Sequence, residues 1–148
     1  MNENDSARML GALNDLSYRR TKDPGKADLI VINTCSIRDK AEHKVYSMLG
    51  RFKDFKLTNP GLVIGVAGCV AQQAGEMLFK RAPFLDIVLG PHNVHKLKDL
   101  LAGVLQGHRR VTATSFNGSI AAGEYAYNGD QCSGPKAFVS IMRGCDNF

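Results

Sequence analysis

The stretch that decides the fold is "LIVINTCSIRDKAEHKV", which runs from Leu29 to Val45 and changes its apolar pattern at Cys35. Its first part, "LIVIN", is short, rich in β-branched residues and apolar on both faces, which is typical of a strand covered by helices on each side. From Ser36 onward the apolar residues recur at the spacing of an amphipathic helix. The stretch therefore predicts a buried strand, a junction at Cys35 and a helix.

Two further segments repeat this plan. "LVIGVAG" at 62–68 has the pattern of a buried strand, Cys69 follows it, and residues 71–81 have helical spacing. "DIVLG" at 86–90 predicts a third strand, followed by a turn and a helix that ends near Gly107. Repeated strand–helix units predict an α/β fold with an open, mainly parallel sheet flanked by helices.

The residues before the first strand predict one more helix. Asn4 or Asp5 is a candidate cap, and the helix is expected to run to about Leu16. Its expected apolar face consists of Ala7, Leu10, Leu13 and Leu16.

Composition changes past His108, where glycine and small polar residues become frequent. Such a segment is typical of a linker. The last residues, "AFVSIMRGC" from Ala137 to Cys145, have strand character again. We therefore expect a domain at 1–107, a linker at 108–136 and the start of a further domain at 137–148.

Length and composition limit the class of protein. The chain has 148 residues, of which 44% are hydrophobic, as in an ordinary globular domain. No apolar run is long enough for a membrane span, and the polar start does not resemble a secretion signal, so a cytoplasmic protein is expected. The net charge of +5 favours an anionic partner, although solvated helix faces and loops are the simpler explanation.

Two cysteines stand directly after predicted strands. In an open α/β sheet ligands bind outside the carboxyl ends of the strands, and Cys35 and Cys69 both fall there. Neighbouring parallel strands lie about 5 Å apart, so the two thiols could converge on one metal cluster. Packing is the simpler explanation for either cysteine alone. A zinc site with His43, His92 or His95 is a weaker alternative, and thiol-redox chemistry is weaker still because the chain has no Cys-x-x-Cys.

Four segments together resemble one family: "VINTCSIRDKAEHKVYSMLGRFK", "PGLVIGVAGCVAQQAGEMLFKRAP", "DIVLGPHNVHKL" and "AFVSIMRGCDNF". They are similar to the bacterial radical S-adenosylmethionine methylthiotransferases, and the resemblance covers nearly the whole chain. Within that family the residues around Cys35 favour the branch that acts on isopentenyladenosine next to the tRNA anticodon. The resemblance implies a Rossmann-like amino-terminal domain, followed by a linker and the first strand of a radical S-adenosylmethionine barrel.

The resemblance also implies site residues. The family's amino-terminal domain holds an auxiliary four-iron four-sulfur cluster with three cysteines, and Cys35 and Cys69 match the second and third. Asn33, Thr34 and Ser36 would shape the cluster pocket, although Asn33 and Ser36 could equally be simple helix caps. The first cysteine of the family's radical-cluster motif, Cys-x-x-x-Cys-x-x-Cys, matches Cys145. Cys132 receives no role.

Two parts of the family's pattern are expected to lie outside this sequence. The strand with the first cluster cysteine would precede Met1, and the rest of the barrel and the tRNA-binding domain would follow Phe148. The chain alone is therefore expected to be inactive. Without the first strand, the strands that precede Cys35 and Cys69 would either keep unpaired backbone groups or close up on each other, near enough for an adventitious disulfide.

For the whole enzyme, the resemblance implies two four-iron clusters and S-adenosylmethionine as cofactors, tRNA as partner, and a monomer without membrane attachment. One S-adenosylmethionine supplies a radical that abstracts hydrogen from the adenine ring, sulfur from the auxiliary cluster is inserted, and a second S-adenosylmethionine supplies the methyl group. Relatives that modify threonylcarbamoyladenosine or a ribosomal protein are alternatives. A non-catalytic α/β module that binds a nucleotide or zinc is an alternative of another class.

Overall fold

The computed structural model describes residues 2–35 and 41–115, with the side chains of Asn2 and Ala41 left out of the description. In this part the chain forms five α-helices and four strands: α1 Asn2–Asn14, β1 Leu29–Thr34, α2 Ala41–Thr58, β2 Val63–Gly68, α3 Cys69–Ala74, α4 Met77–Arg81, β3 Ile87–Leu89, α5 Leu97–Leu105 and β4 Val111–Ala113. Short 3-10 helices occupy Pro24–Lys26 and Pro91–Lys96. None of the helices in this part is long and apolar enough to cross a membrane.

The four strands form one parallel sheet in the order β1-β2-β3-β4. The predicted α/β fold with a parallel sheet is therefore confirmed. Strand β2 is buried along its whole length because it has a strand on each side and helices on each face. Its neighbour β1 pairs with it over six residues, from Leu29 opposite Val63 to Thr34 opposite Gly68.

The direct pairing of β1 with β2 decides between the two arrangements that the sequence left open. The strands before Cys35 and Cys69 pair directly with each other, so their facing backbone groups form a continuous ladder. Neither facing edge keeps unpaired groups because each N–H and C=O of a parallel ladder finds its partner on the neighbouring strand. Cys35 and Cys69 do not form a disulfide with each other in this structure.

The sheet has an apolar layer on each face, as alternate strand residues point to opposite sides. On one face Ile64 and Val66 of β2 pack with Leu49 of α2 and with α3 and α4. On the other face Val63 and Ala67 of the same strand pack with α1 and α5. The resulting three layers bury the sheet and leave its two ends accessible.

Helix α1 differs from its prediction in both start and face. It begins at Asn2, so Asn4 and Asp5 lie inside it and are not its caps. Met9 is buried and Leu13 packs beside it, whereas Leu10 is exposed. Leu16 is exposed too and lies beyond the end of the helix. Helix α1 therefore packs Met9 and Leu13 against the core, and of these two residues only Leu13 belongs to the predicted apolar face.

Two other segments also differ from expectation. The predicted helix at 71–81 is two short helices, α3 and α4, because Gly75 adopts a positive φ of 46° between them. Residues Val111–Ala113, which the sequence placed in the linker 108–136, form strand β4 on the edge of the sheet beside β3. The remainder of the predicted linker from Phe116 on, and the predicted strand at 137–145, lie outside the described residues.

Candidate functional site

The two strand-end cysteines lie at the same edge of the sheet. Cys35 directly follows β1, and Cys69 directly follows β2 as the first residue of α3. Because Thr34 and Gly68 are register partners, the two cysteines come one residue after opposing positions on adjacent strands. Both are partly exposed. We call this end of the sheet, where all four strands end, the carboxyl edge.

Gly68 sets the spacing of the two strands just before the cysteines. Its φ of 94° and ψ of −160° lie in a region that is essentially restricted to glycine. A Cβ at this position would overlap the backbone carbonyl oxygen of Thr34 and lie 2.9 Å from Oδ1 of Asn33. The ends of β1 and β2 can therefore approach this closely only because residue 68 has no side chain. Sequence reasoning did not single out this glycine.

The predicted pocket residues Asn33 and Thr34 are hydrogen-bonded within the fold. Thr34 is buried, and its Oγ1 donates to the carbonyl oxygen of Ala67 at 2.8 Å, which ties β1 to β2. Nδ2 of Asn33 donates to Oγ of Ser6 at 2.9 Å, which ties the end of β1 to helix α1. Both side chains therefore stabilise the strand end that carries Cys35. The remaining predicted site residues Ser36 and Cys145, together with Cys132, lie outside the described residues.

The carboxyl edge contains two candidate metal ligands in the described part of the chain. Within 2–35 and 41–115, no group of three or more His, Cys, Asp and Glu side chains converges. His43, His92 and His95 thus do not join the cysteines in such a group. A zinc site needs three or four protein ligands, and the family's auxiliary cluster needs three thiolates. The described residues alone complete neither site.

Helix α1 brings a carboxyl group to this edge. Burial raises the pKa of Asp5 above its ordinary value of 3.8, and the positive charges of Arg8, the amino terminus and His92 oppose that effect only in part. His92 follows β3, so the interaction places the first turn of α1 beside the ends of the strands. Helix α1 thus holds the half-buried Asp5 carboxyl near the residues that follow β3.

Two amide side chains on this side of the sheet were missed by sequence reasoning. Gln72 of α3 donates from Nε2 to the carbonyl oxygen of Thr114, and Asn93 donates from Nδ2 to that of Ser115 at 3.1 Å. Asn93 is 3% exposed, which is rare for an amide side chain. No periodic pattern reveals these bonds in the sequence, because each joins residues more than 20 positions apart.

A groove of about 1160 Å³ runs along the outer side of β1. Helix α1 and the segment from Leu16 to Asp28 form much of its wall, and its rim carries the basic residues Arg19, Arg20 and Lys26. Asn33 also lines it, so the groove reaches from the amino end of β1 to the carboxyl edge. An anionic partner would be attracted to this rim.

Comparison with known proteins gives one family match and many similar sequences. The model of the Uncharacterized protein family UPF0004 matches residues 1–90. The chain is similar to the tRNA-2-methylthio-N(6)-dimethylallyladenosine synthases of Citrifermentans bemidjiense (45% identity), Geobacter metallireducens (47%) and Methylococcus capsulatus (48%). Each alignment covers 100% of this chain and 33%, 33% and 32% of the respective relative. The chain thus spans about a third of the length of these curated relatives.

Proposed function

The chain belongs to the UPF0004 family, and from that premise we propose that it forms the amino-terminal part of a tRNA methylthiotransferase. The proposed substrate is the isopentenyl (dimethylallyl) adenosine next to the anticodon, which receives a methylthio group at C2. The names of the similar proteins support this substrate over threonylcarbamoyladenosine or a ribosomal protein, because all three specify 2-methylthio-dimethylallyladenosine. The whole enzyme would be a monomer of the cytoplasm that uses S-adenosylmethionine.

The observation that carries the proposal is the placement of Cys35 and Cys69 after register-paired ends of adjacent strands. We propose that the two thiolates are two of the three protein ligands of an auxiliary four-iron four-sulfur cluster. The third ligand would come from outside the described residues. Such a cluster, when bound, would supply the sulfur. Cys145 would be a ligand of the second, radical-generating four-iron cluster.

The residues next to the cysteines would hold this site in shape. Thr34 fixes the end of β1 against β2 through its bond to Ala67, and Gly68 allows the close approach of the two strands. Asn33 joins the same strand end to α1. Asn33, Thr34 and Ser36 would thus line the pocket around the proposed cluster as positioning residues, and the partly buried surroundings would limit access of water to it.

Anaerobic reconstitution with iron and sulfide tests the proposed ligands. The suitable protein is one extended at both ends to the length of the relatives, with Cys35→Ala and Cys69→Ala as variants. Each variant should lose about half of the visible absorption and about half of the bound iron, since one of two four-iron clusters would fail to form. Cys132→Ala is the matched control and should keep all of its iron. Unchanged iron content in both variants would refute the assignment of these cysteines.

Product analysis tests the proposed reaction. Transfer RNA that carries the dimethylallyl group should gain a methylthio group when incubated with the reconstituted protein, a reductant and S-adenosylmethionine. Mass spectrometry of the nucleosides released from that tRNA measures the gain. A methylthio group found instead on threonylcarbamoyladenosine or on a ribosomal protein would move the chain to another branch. A protein that binds neither iron nor S-adenosylmethionine would favour the non-catalytic α/β module.

A further inference from the structure

Hydrogen bonds hold the end of strand β4 and the two residues that follow it. The amide of Gly90 donates to the carbonyl oxygen of Ala113 at 2.8 Å, the last backbone bond between the ends of β3 and β4. The next two carbonyl oxygens along the chain, those of Thr114 and Ser115, accept from the side chains of Gln72 and Asn93. Three consecutive carbonyl oxygens thus accept hydrogen bonds from three different residues of the fold: Gly90, Gln72 and Asn93. We call residues 114–115 the exit segment.

Gln72 connects the exit segment to the helix that carries Cys69. It lies three residues after Cys69 in α3, which places both side chains on neighbouring positions of one helical turn. From there its side-chain amide extends past the end of β3 to the carbonyl oxygen of Thr114, the residue after β4. Its Oε1 is buried and has no hydrogen-bond partner in the described part, so only the donor end of this amide is used. A flipped amide would put oxygen against the oxygen of Thr114, which fixes the orientation.

Gly90 provides the space for this reach. A Cβ on Gly90 would overlap Oε1 of Gln72 and would lie 3.4 Å from the carbonyl oxygen of Ala113. The φ of Gly90 is −68°, a value that any residue adopts. Glycine is therefore needed here for the space around its Cα and not for its backbone conformation. The glycine, the glutamine and the exit segment therefore form one packed unit at the end of β3.

Asn93 holds the second carbonyl from the other side. It belongs to the 3-10 helix that follows β3 and has the non-helical φ of −108° inside that helix. Its side chain is 3% exposed, and an amide buried to this extent is costly unless it is hydrogen-bonded. The bond to Ser115 satisfies its donor. Two amides from separate elements thus converge on two adjacent residues of the chain.

We propose that Gln72 and Asn93 are positioning residues that hold the exit segment at the carboxyl edge, and so fix the place from which the rest of the protein departs relative to Cys35 and Cys69. Without them, β4 is an edge strand of three residues whose end would fray. With them, the exit segment is bonded to the helix of Cys69 itself. Only the consequence for catalysis depends on the proposed function; the hold on the exit segment does not.

Hydrogen exchange measured by mass spectrometry on the 148-residue chain tests the hold directly. In Gln72→Met, which keeps the length of the side chain but has no N–H donor, the amides of Val111–Ala113 should exchange about fivefold faster, the factor that corresponds to the loss of one hydrogen bond. Asn93→Leu should have a similar effect. Gln73→Met is the matched control, because Gln73 is exposed on the same helix, and exchange should be unchanged there. Equal protection of β4 in Gln72→Met and the parent would overturn the proposal.

A substitution at Gly90 gives a second test that leaves both donors in place. Gly90→Ala should displace the flexible end of Gln72 and should speed exchange in β4 as much as Gln72→Met does. In the Gln72→Ala background the same change should have little further effect, since the overlapping oxygen is gone. Two additive effects would mean that Gly90 and Gln72 act separately, which would contradict the packed unit.

Activity and iron content separate positioning from a merely structural role. In the protein extended to the length of its relatives, Gln72→Met should keep its full iron content while kcat for methylthio transfer falls about tenfold or more, because misplaced reacting groups are costly. A fall in iron, or no fall in kcat, would overturn the role in catalysis. If the parent binds no iron and modifies no tRNA, the proposed function fails, whereas the exchange result on the 148-residue chain still decides the hold.

Discussion

The two ends of the sheet are built from different chemistry. At the amino edge, where the strands begin, Asp86 accepts from Lys56 and from the backbone N–H of Ile64 at 2.8 Å. At the carboxyl edge, the described polar side chains Thr34, Gln72 and Asn93 make neutral hydrogen bonds to backbone carbonyls. One end is closed by an ion pair and the other by amides and a hydroxyl around two thiols.

The difference shows how the fold keeps stability and candidate chemistry apart. Asp86 also joins three strands at the amino edge, because its N–H donates to the carbonyl oxygen of Ile64 and its own carbonyl oxygen accepts from the N–H of Val111. A fixed charge pair suits that role. Neutral donors at the carboxyl edge add no charge of their own beside Cys35 and Cys69.

The largest expected effect tests the close approach at the carboxyl edge. Gly68→Ala should lower the free energy of unfolding by about 3 to 5 kcal/mol, since a Cβ meets the backbone of Thr34 and the conformation itself disfavours any side chain. Denaturant unfolding monitored by circular dichroism measures this loss. A loss no greater than that of an unhindered glycine would show that β1 and β2 can separate at little cost.

Gly107→Ala is the matched control for Gly68→Ala. Gly107 has a φ of 95°, nearly the same as that of Gly68, but no atom lies within 4 Å of a Cβ built on it. Backbone strain alone should therefore cost about 1 to 2 kcal/mol. The larger loss expected for Gly68→Ala reflects the contact with Thr34 together with the more restricted backbone conformation of Gly68.

The next effect tests the amino edge. Asp86→Ala removes the acceptor of both Lys56 and the backbone N–H of Ile64. The side chains of Lys56 and Asp86 are only 19% and 18% exposed. We expect a loss of about 2 to 3 kcal/mol in unfolding free energy, because a partly buried cation and a backbone donor lose their partner. Asp54→Ala, an exposed position on the same helix as Lys56, should change stability by less than about 0.5 kcal/mol.

The variant Asp86→Ala also tests whether the two edges of the sheet are independent. If they are, the rates at which Cys35 and Cys69 react with a small thiol reagent should stay the same in Asp86→Ala under native conditions. The rates are read by mass spectrometry of the labelled peptides. Faster labelling of both thiols would show that the ion pair at the amino edge also maintains the cysteine end.

The strands were predictable because their signal is local. β1 to β3 are short apolar runs that end at a cysteine or a glycine, and such runs identify strands buried between helices. The placement of Cys35 and Cys69 after such strands could be read in the same way. Strand β4 was not predictable, since "VTA" at 111–113 is three residues long and is defined by its pairing with β3 rather than by its own composition.

The contacts that shape the candidate site depend on residues distant in sequence. The need for glycine at position 68 arises from the carbonyl of Thr34 on another strand, and that at position 90 from a glutamine on α3. The face of α1 could not be predicted either. Its polar sequence offers two apolar stripes, and the packing of Met9 against α5 and the sheet selects between them. Such requirements appear only once the strands are aligned.

The smallest expected effect concerns the half-buried carboxyl group of Asp5 at the carboxyl edge. Burial raises the pKa of Asp5 in the folded state above 3.8, so the folded protein binds a proton more readily than the unfolded chain. The stability that this carboxyl contributes is fully present below pH 3.8 and is lost as the pH rises through the folded pKa. Asp5→Asn cannot ionise, so its unfolding midpoint relative to the parent should rise across that window and stay higher at neutral pH.

The control for Asp5→Asn is Glu3→Gln, at an exposed position on the same helix α1. If the parent and Asp5→Asn differed by the same amount at every pH, burial would not disfavour the ionised Asp5 carboxylate. The contrast between the two edges would then rest on the thiols and amides alone.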